Sequence, residues 1–343
     1  MKDLPALPTH VVGSHGFPGW FHTALERIRD DDYGQTDERE TYDDATRLAI
    51  DDQERAGIDI VSDGEMRRYL FVQSFYEKME GLERLVPLRT TGPYGYDSVP
   101  RYRPVTRVQA TGGLGLVRDF EYLAKQTSRP TKMTCPGPLT LSIHIRLRSG
   151  DPYTDRLELC WDLVPIVRAE LIALVAAGCE YIQLDEPAAA IVDGRTSEYV
   201  EVINACLAGV NAKIALHVCF GNLLSRPRGR RSYAPLFPQL SDVACQQFVF
   251  EYANREMAEI GHWAEIGADR EIACGVVDVK SYYLETPAEV ADRVLECARY
   301  IPLDKLSTVP DCGFSGVPRW LAVEKLERLV AGTALARSRL GVG

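Results

Sequence analysis

Short apolar runs alternate with longer segments of helical periodicity along almost the whole chain. The runs predict eight β-strands, at residues 10–13, 58–62, 132–135, 181–184, 213–218, 247–250, 272–276 and 307–310. Strands that alternate with helical segments are typical of a parallel sheet that is covered by helices. Eight such units favour an α/β fold of the closed (β/α)8 type, the TIM barrel, over an open sheet.

The helical segments carry start and stop signals. Gly57 and Gly178 each follow an amphipathic or apolar segment and are typical helix ends. Thr286 and Glu289 form a predicted capping box, with a proline at the first helical position between them. The clearest helices are therefore predicted at 43–55, 157–177, 286–299 and 317–336.

Two segments interrupt the alternation. Residues 87–111 are rich in Gly, Pro, Tyr and Arg, and they predict an inserted hairpin or a lid over the barrel mouth. Residues 225–233 (SRPRGRRSY) are basic, and they form either a solvated surface loop or a contact for an anionic substrate or partner. Residues 1–343 are otherwise expected to form a single domain, because barrels of this length commonly fold as one unit.

The charge balance excludes some functions. The chain carries 49 acidic against 39 basic residues, a net charge of −10, which argues against a nucleic-acid partner. No apolar run is long enough to cross a membrane and no signal peptide is evident, so we expect a cytoplasmic protein that binds no membrane. Seven of the nine cysteines are expected to be buried thiols, whereas Cys219 and Cys312 stand at strand ends.

Most of the candidate chemistry lies where the predicted strands end, which is where (β/α)8 barrels place their active sites. The residues of interest there are Gly13, Ser14, Asp63, Glu65, Asp185, Glu186, His217, Cys219, Glu251, Asp311 and Cys312. For Asp63 and Glu186 the simpler explanation is a carboxylate that accepts hydrogen bonds from loop N–H groups.

Four of these residues suit a metal. His217 and Cys219 are two apart on a strand, so their side chains share one face. Glu251 and Cys312 end two later strands. A His, Cys, Glu and Cys set provides the N, S and O donors that Zn²⁺ takes in tetrahedral sites, and its position at the barrel mouth favours catalysis over a structural role.

The charge of such a centre favours one kind of chemistry. Two thiolates and a carboxylate around Zn²⁺ give a net charge of −1, which suits the binding and deprotonation of a substrate thiol better than hydrolysis. The thiolate is the nucleophilic form of sulfur, and a metal generates it at neutral pH. The sequence therefore predicts alkyl transfer to a small thiol.

Seven short motifs, in order along almost the whole chain, resemble those of the cobalamin-independent methionine synthases, in particular their C-terminal catalytic barrel. The motifs are VVGS (11–14), SDGE (62–65), QLDEP (183–187), HVC (217–219), FEY (250–252), GVVD (275–278) and PDCG (310–313). The resemblance implies a zinc site of His217, Cys219, Glu251 and Cys312. It also implies that Glu65 and Asp185 hold the ammonium group of homocysteine, while Gly13 and Ser14 receive its carboxylate.

The chain departs from this family in two ways that concern the reaction. The full-length synthases carry an additional N-terminal barrel that contributes to folate binding, whereas residues 1–343 are expected to form a single barrel. They also have a histidine where this chain has Lys280. Lys280 cannot serve as the same neutral base, and it is either a solvated lysine or a cation that holds an anionic group on the substrate or donor.

Two enzymatic hypotheses follow. The first is zinc-dependent methyl transfer to homocysteine, which yields methionine, with a non-folate donor such as a methylcorrinoid protein or with a simple folate. The alternative is zinc-thiolate chemistry with another thiol or electrophile, such as the addition of coenzyme M to an epoxide. A purely structural zinc site is disfavoured because the strand-end carboxylates would then have no purpose, and a decarboxylase is disfavoured because that chemistry needs no thiolates.

Overall fold

The structure is a computed structural model that describes residues 4–86, 101–192, 194–222, 227–263 and 269–343. Its strands are β1 (Glu80–Leu85), β2 (Arg101–Gln109), β3 (Met133–Pro136), β4 (Tyr181–Asp185), β5 (Lys213–Val218), β6 (Gln247–Glu251), β7 (Glu271–Val277) and β8 (Leu306–Pro310). Strands β3 to β8 form one sheet in chain order, and every adjacent pair is parallel.

The ring is closed by two segments that make isolated bridges. Thr9 pairs with Thr308 of β8, His10 pairs with Ile60, and Val61 pairs with Thr131 just before β3. All three bridges are parallel, so the chain runs around a closed barrel. This arrangement confirms the predicted fold class.

Six of the eight predicted strands are confirmed, whereas 10–13 and 58–62 are not regular strands. Their backbone pairing is limited to the isolated bridges, and side chains form hydrogen bonds with the backbone groups that follow. The carbonyl oxygens of Val11 and Val12 accept hydrogen bonds from the side chains of Lys132 and Gln183. The side-chain amide of Gln53 bonds both the N–H and the C=O of Ser62.

The helices are α1 (Gly19–Arg29), α2 (Gln35–Ala56), α3 (Gln73–Tyr76), α4 (Leu116–Gln126), α5 (Pro138–Ser142), α6 (Arg156–Ala176), α7 (Thr196–Leu207), α8 (Pro287–Ala298) and α9 (Arg319–Leu340). The four predicted helices correspond to α2, α6, α8 and α9. Helix α2 begins eight residues earlier than predicted, because its exposed, acidic first turns show no apolar periodicity. In the described part of the chain, no helix is long and apolar enough to cross a membrane.

Strands β1 and β2 pair as an antiparallel hairpin outside the barrel. The predicted insert, 87–111, includes β2, but β1 precedes it, and residues 87–100 lie outside the described residues. Tyr102 of β2 forms a parallel bridge with Ile145, which joins the hairpin to the segment between α5 and α6. The assignment of residues 1–343 to a single domain stays a prediction.

The interior of the barrel is apolar in one layer and polar in others. The apolar layer takes one residue from seven of the eight segments: Val12, Ile60, Tyr181, Ala215, Val249, Ala273 and Val309. His217 and Cys219 continue the inward alternation that begins at Ala215, because side chains two apart on a strand share a face. The carboxyl end of β5 therefore points both groups into the barrel mouth.

Candidate metal centre and substrate site

The end of β5 and the turn after β8 bring two thiols and an imidazole together. The potential ligand atoms of His217, Cys219 and Cys312 all lie within 4.8 Å of one another, and all three residues are buried. The two Sγ atoms are 3.6 Å apart. A tetrahedral Zn²⁺ with Zn–S bonds of about 2.3 Å would separate them by about 3.8 Å, so the pair fits that ion.

The imidazole of His217 is held by Asp185 at the end of β4. Its Nδ1 donates a hydrogen bond of 2.7 Å to Oδ1 of Asp185. Its Nε2 is buried and has no hydrogen-bond partner in the structure. Burial opposes the imidazolium form, but the Asp185 contact and the nearby Cys312 raise the pKa of His217 to about 9. A carboxylate behind Nδ1 fixes the tautomer that directs the Nε2 lone pair to a metal.

The two thiols are in hydrogen-bond contact. A hydrogen bond from Cys219 lowers the pKa of Cys312 well below its ordinary value, with His217 and Lys280 contributing. The same contact, together with burial, raises the pKa of Cys219. Without a metal, the negative charge is therefore concentrated on the Cys312 sulfur.

Glu251, the fourth predicted ligand, ends β6 and lies outside the cluster of His217, Cys219 and Cys312. Its Oε2 accepts hydrogen bonds from Lys280 Nζ at 2.8 Å and from the Phe220 N–H at 3.2 Å. Its Oε1 is buried and has no partner. Burial raises the pKa of Glu251, and the Lys280 ammonium opposes that rise.

Lys280 follows β7 and is as deeply buried as the carboxylate that it contacts, with side-chain exposures of 2% and 0%. Burial opposes its charge, but Cys312, Glu251 and Cys219 hold its pKa above the ordinary value. The hypothesis that Lys280 is a solvated strand-end lysine is therefore wrong. It is a fixed cation on the far side of Glu251.

Glu65 lies across the mouth from this centre. It has a left-handed backbone (φ 58°), and its Oε1 accepts a hydrogen bond of 2.6 Å from the Thr134 hydroxyl. Burial raises its pKa to about 7, with Arg68 opposing and Asp185 adding to the rise. A Cβ at Gly13 would lie 2.6 Å from Oε1, so Gly13 is the residue that leaves room for this carboxylate.

Ser14 contacts the turn that carries Cys312. Its hydroxyl accepts a hydrogen bond of 3.1 Å from the Ser315 N–H, and its carbonyl accepts one of 2.7 Å from Phe314. A Cβ at Gly313 would lie 2.3 Å from Ser14 Oγ. The first segment of the barrel is thus fitted closely to the last.

Three other strand-end carboxylates are satisfied by the protein. Glu186 accepts hydrogen bonds from Leu139 and Thr140 at the start of α5. Asp311 accepts hydrogen bonds from three consecutive N–H groups that begin at Tyr252. Asp63 binds the Arg68 guanidinium. These contacts agree with the interpretation of Asp63 and Glu186 as structural groups.

Two buried cations under the site were not predicted. Arg68 donates to Thr134 Oγ1 at 3.1 Å, and Thr134 in turn donates to Glu65. Lys132, whose pKa burial lowers to about 7, donates to Gln183 at 2.6 Å, and Gln183 donates to Asp185 at 2.7 Å. In the sequence, each of these cations is a basic residue within or beside an apolar run. Periodicity alone does not distinguish such a residue from a basic residue in a solvated loop.

In the basic stretch 225–233, residues 225 and 226 lie outside the described residues, and the last three residues form hydrogen bonds with neighbouring segments. Arg231 donates to Asn254, and Ser232 donates to Glu259. The Tyr233 hydroxyl joins the ends of β5 and β6 through Val218 O and the Glu251 N–H.

The fold and the site together define a (β/α)8 barrel with a sulfur- and nitrogen-rich cluster at its mouth, whose geometry suits a metal ion. Residues 7–334 match the family described as "Cobalamin-independent synthase, Catalytic domain". The chain therefore belongs to the cobalamin-independent methionine synthase family, and it is a methyltransferase of that family.

Relatives of known name agree with this assignment. The chain is 31% identical to the methionine synthase of Sulfurisphaera tokodaii, over 99% of this chain and 95% of that protein. It is 30% identical to the methionine synthase of Saccharolobus solfataricus, over 99% and 98%. Among solved structures, a B12-independent methionine synthase from Shewanella sp. W3-18-1, in complex with selenomethionine, has 27% identity and a TM-score of 0.81 over 98% of this chain and 99% of that chain.

Proposed function

We propose that the chain transfers a methyl group to the thiol of homocysteine at a zinc ion held by His217, Cys219, Cys312 and Glu251. The observation that carries the proposal is a pair of buried atoms without partners: Nε2 of His217, within the cluster that holds the two sulfurs, and Oε1 of Glu251, at the end of the neighbouring strand β6. Buried polar atoms without partners are rare, and here the missing partner has the chemistry of a metal.

When bound, zinc supplies the Lewis acidity that converts a substrate thiol to a thiolate at neutral pH. The residues of the chain do the remaining work. Asp185 orients the His217 ring, and the Cys219 and Cys312 sulfurs would hold the ion as thiolates. Lys280 holds Oε2 of Glu251, so Oε1 is the oxygen that would be available to the ion.

The amino-acid end of homocysteine is assigned to the opposite wall of the mouth. Its ammonium group pairs with Glu65 and with Asp185. The hydrogen bonds that Asp185 accepts from His217 and Gln183 both end on Oδ1, so neither of them occupies Oδ2. Its carboxylate lies toward the backbone of Gly13 and Ser14. Fixing both reactants in this way contributes roughly 7–11 kcal/mol to the lowering of a bimolecular barrier.

The alternative with another thiol or an epoxide relied on Lys280 and the basic stretch as contacts for a different substrate. Lys280 is engaged by Glu251, which removes one of these two supports. The names of the relatives favour methionine as the product.

The test is methionine formation by the purified, zinc-loaded protein from homocysteine, with methylcobalamin and 5-methyltetrahydrofolate as alternative donors and detection by mass spectrometry. Cys312→Ala should lose both zinc and product, whereas the matched control Cys206→Ala, a buried thiol on α7, should keep both. Full turnover by Cys312→Ala would refute the zinc mechanism.

A further inference from the structure

A chain of buried hydrogen bonds leads from Arg68 through Thr134 to Glu65 at the mouth of the barrel. The Arg68 guanidinium donates to Thr134 Oγ1 at 3.1 Å, and the Thr134 hydroxyl donates to Glu65 Oε1 at 2.6 Å. Arg68 and Thr134 are 3% and 1% exposed, so water does not compete for these contacts. The chain therefore connects a cation below the mouth with a carboxylate at the mouth.

The chemistry of the arginine fixes the direction of these hydrogen bonds. An arginine side chain has N–H donors and no acceptor, and it stays protonated in proteins. The Thr134 oxygen must therefore accept from Arg68, which leaves the single hydroxyl proton of Thr134 for Glu65. A hydrogen bond donated to a carboxylate favours its charged form. The chain of hydrogen bonds thus favours the ionised form of Glu65.

Contacts on its other side keep Arg68 in this orientation. Its guanidinium also donates to Asp63 Oδ1 at 2.9 Å and to Asp119 Oδ2 at 3.2 Å. Asp63 Oδ1 accepts from the Glu65 N–H as well, at 3.1 Å, where the backbone is left-handed with a φ of 58°. A residue other than glycine is uncommon in this region and persists where the surrounding contacts hold it. One cluster therefore fixes both the backbone and the side chain of Glu65.

The charge of Glu65 depends on this support, because the carboxylate is buried. Burial raises its pKa to about 7. The groups that act on the carboxylate after burial are, in order, Arg68, Asp185, Thr134 and Asp63. Of these groups, the guanidinium and the hydroxyl favour the ionised form, whereas the two carboxylates oppose it. A further cation faces Glu65 from below: burial lowers the pKa of Lys132, and Glu65 is among the carboxylates that oppose this effect.

The neighbouring strand carries the same arrangement. Thr134 of β3 and Gln183 of β4 are partners in the register of the sheet. Lys132 donates to Gln183 Oε1 at 2.6 Å, and Gln183 Nε2 donates to Asp185 Oδ1 at 2.7 Å. Because a lysine ammonium also has no acceptor, it orients the amide as the arginine orients the hydroxyl. Each carboxylate that is assigned to the ammonium group is therefore backed by one neutral donor and one buried cation.

We propose that Thr134 is a positioning residue for the recognition of the amino-acid substrate: oriented by Arg68, its hydroxyl holds Glu65 ionised and in place for the ammonium group. Among the described residues, the hydrogen bond to this carboxylate ends on Oε1, which leaves Oε2 for the substrate. The part that concerns the substrate rests on the proposed function, in which Glu65 pairs with the ammonium group. The effect of Thr134 on the charge of Glu65 does not depend on that function.

The test compares Thr134→Val, which keeps the shape of the side chain and removes the hydroxyl, with Thr134→Ser, which keeps the hydroxyl. The first measurement follows the carboxyl infrared band that is absent in Glu65→Gln, as a function of pH, in the full zinc-loaded chain without substrate. Its midpoint should rise by roughly one pH unit in Thr134→Val and should stay close to that of the unaltered chain in Thr134→Ser. Equal midpoints in Thr134→Val and the unaltered chain would overturn the proposal.

The second measurement is the KM for homocysteine in the same chains. In Thr134→Val it should be about tenfold above that of the unaltered chain at pH 6 and should approach it at pH 9, where Glu65 is ionised in both. Thr140→Val is the matched control, because it removes a hydrogen bond of 2.7 Å to Glu186, a buried carboxylate with no assigned role in substrate binding. This control should have the KM of the unaltered chain at both pH values.

A KM that rises by the same factor at every pH in Thr134→Val, or an equal rise in Thr140→Val, would indicate lost packing and would overturn the positioning role. A shifted infrared midpoint with an unchanged KM would overturn the link to the substrate, because Glu65 would then not meet the ammonium group. Zinc content should be the same in every variant. Because the infrared titration requires no turnover, a failure of the proposed methyl transfer would be recognised separately.

Discussion

At the scale of single residues, the mouth of the barrel separates satisfied from unsatisfied polar atoms. Asp63, Glu186 and Asp311 are held by N–H groups or by arginine, whereas His217 Nε2 and Glu251 Oε1 have no partner. Leaving a buried polar atom unpaired costs about 1–3 kcal/mol. The protein bears this cost at two of the four residues that were predicted as ligands, which is the pattern expected of ligand atoms.

Glu65 gives a prediction about pH. Its pKa is raised to about 7, so the carboxylate is protonated as the pH falls below 7 and can then no longer pair with an ammonium group. The KM for homocysteine should therefore rise as the pH drops from 8 to 6. Glu65→Gln should have a KM for homocysteine at least about tenfold higher at pH 8. In this variant the KM should also lose the part of its pH dependence that arises from the Glu65 carboxylate. Steady-state kinetics across this range decide the matter.

The zinc content of Glu65→Gln should equal that of the unaltered chain, because Glu65 is bound to Thr134 and not to the cluster of His217, Cys219 and Cys312. Unchanged homocysteine kinetics in this variant would argue against an amino-acid substrate at this wall.

Lys280 gives a second prediction at this scale. Under the proposed function, its ammonium would offset the negative charge that a third sulfur would add to the centre. In Lys280→Met, the apparent pKa of the bound substrate thiol should rise by about 1–3 units, because a nearby opposite charge has been removed. The measurement is the pH dependence of homocysteine binding, followed through the absorption of cobalt-substituted protein.

Lys280→Arg is the matched control, because it keeps a cation next to Glu251. It should retain a profile close to that of the unaltered chain. Coincident profiles for the Met and Arg variants would show that the charge at position 280 has no influence on the thiol.

At the scale of elements, helix α8 is the clearest case of a structure specified by local chemistry. The predicted capping box is confirmed: Thr286 Oγ1 accepts from the Glu289 N–H at 3.2 Å, and Glu289 Oε2 accepts from the Thr286 N–H at 2.7 Å. Thr286→Ala should lower the free energy of unfolding by about 1 kcal/mol, measured by urea denaturation. Thr286→Ser keeps the hydroxyl and should lose much less, so equal losses would contradict the role of the cap.

The strands show why some elements can be predicted and others cannot. Strands β3 to β8 are buried along their length and read as apolar runs bounded by turns. The segments near His10 and Ile60 have the same apolar pattern, but their backbone pairing is limited to isolated bridges, and side chains satisfy the next backbone groups. A partner that is 121 residues away, such as Lys132 for Val11, leaves no local signal.

The same distinction applies to the site. The spacing of His217 and Cys219 on one strand predicted a shared face, and the structure brings both to Cys312. The ion pair between Lys280 and Glu251 depends on the register of β6 against β7, which no local pattern specifies. The roles assigned to the site residues stay predictions.

At the scale of the whole molecule, the proposed ligands connect distant parts of one ring. They lie at the ends of β5 and β6 and just after β8, so a bound ion would cross-link segments that are otherwise joined only through the sheet. A ligand that binds only the folded state stabilises it, by about 4 kcal/mol at a thousandfold excess over its Kd. Stability should therefore depend on the metal.

Removal of zinc with a strong chelator should lower the Tm by about 5 °C or more, measured by scanning calorimetry, and readdition of zinc should restore it. Cys312→Ala serves as the control, because it should start with a low Tm and show no response to the chelator. A Tm that does not change on chelation of the unaltered chain would argue against a site that links the three strands.

The central claim is that two sulfurs of the chain and one sulfur of the substrate meet at one metal ion. Zinc-edge X-ray absorption on the purified protein, with and without homocysteine, tests it most directly. The account predicts zinc with two sulfur ligands in the free protein and three after homocysteine is added. Absence of bound zinc, or two sulfurs that do not change with the thiol, would contradict it.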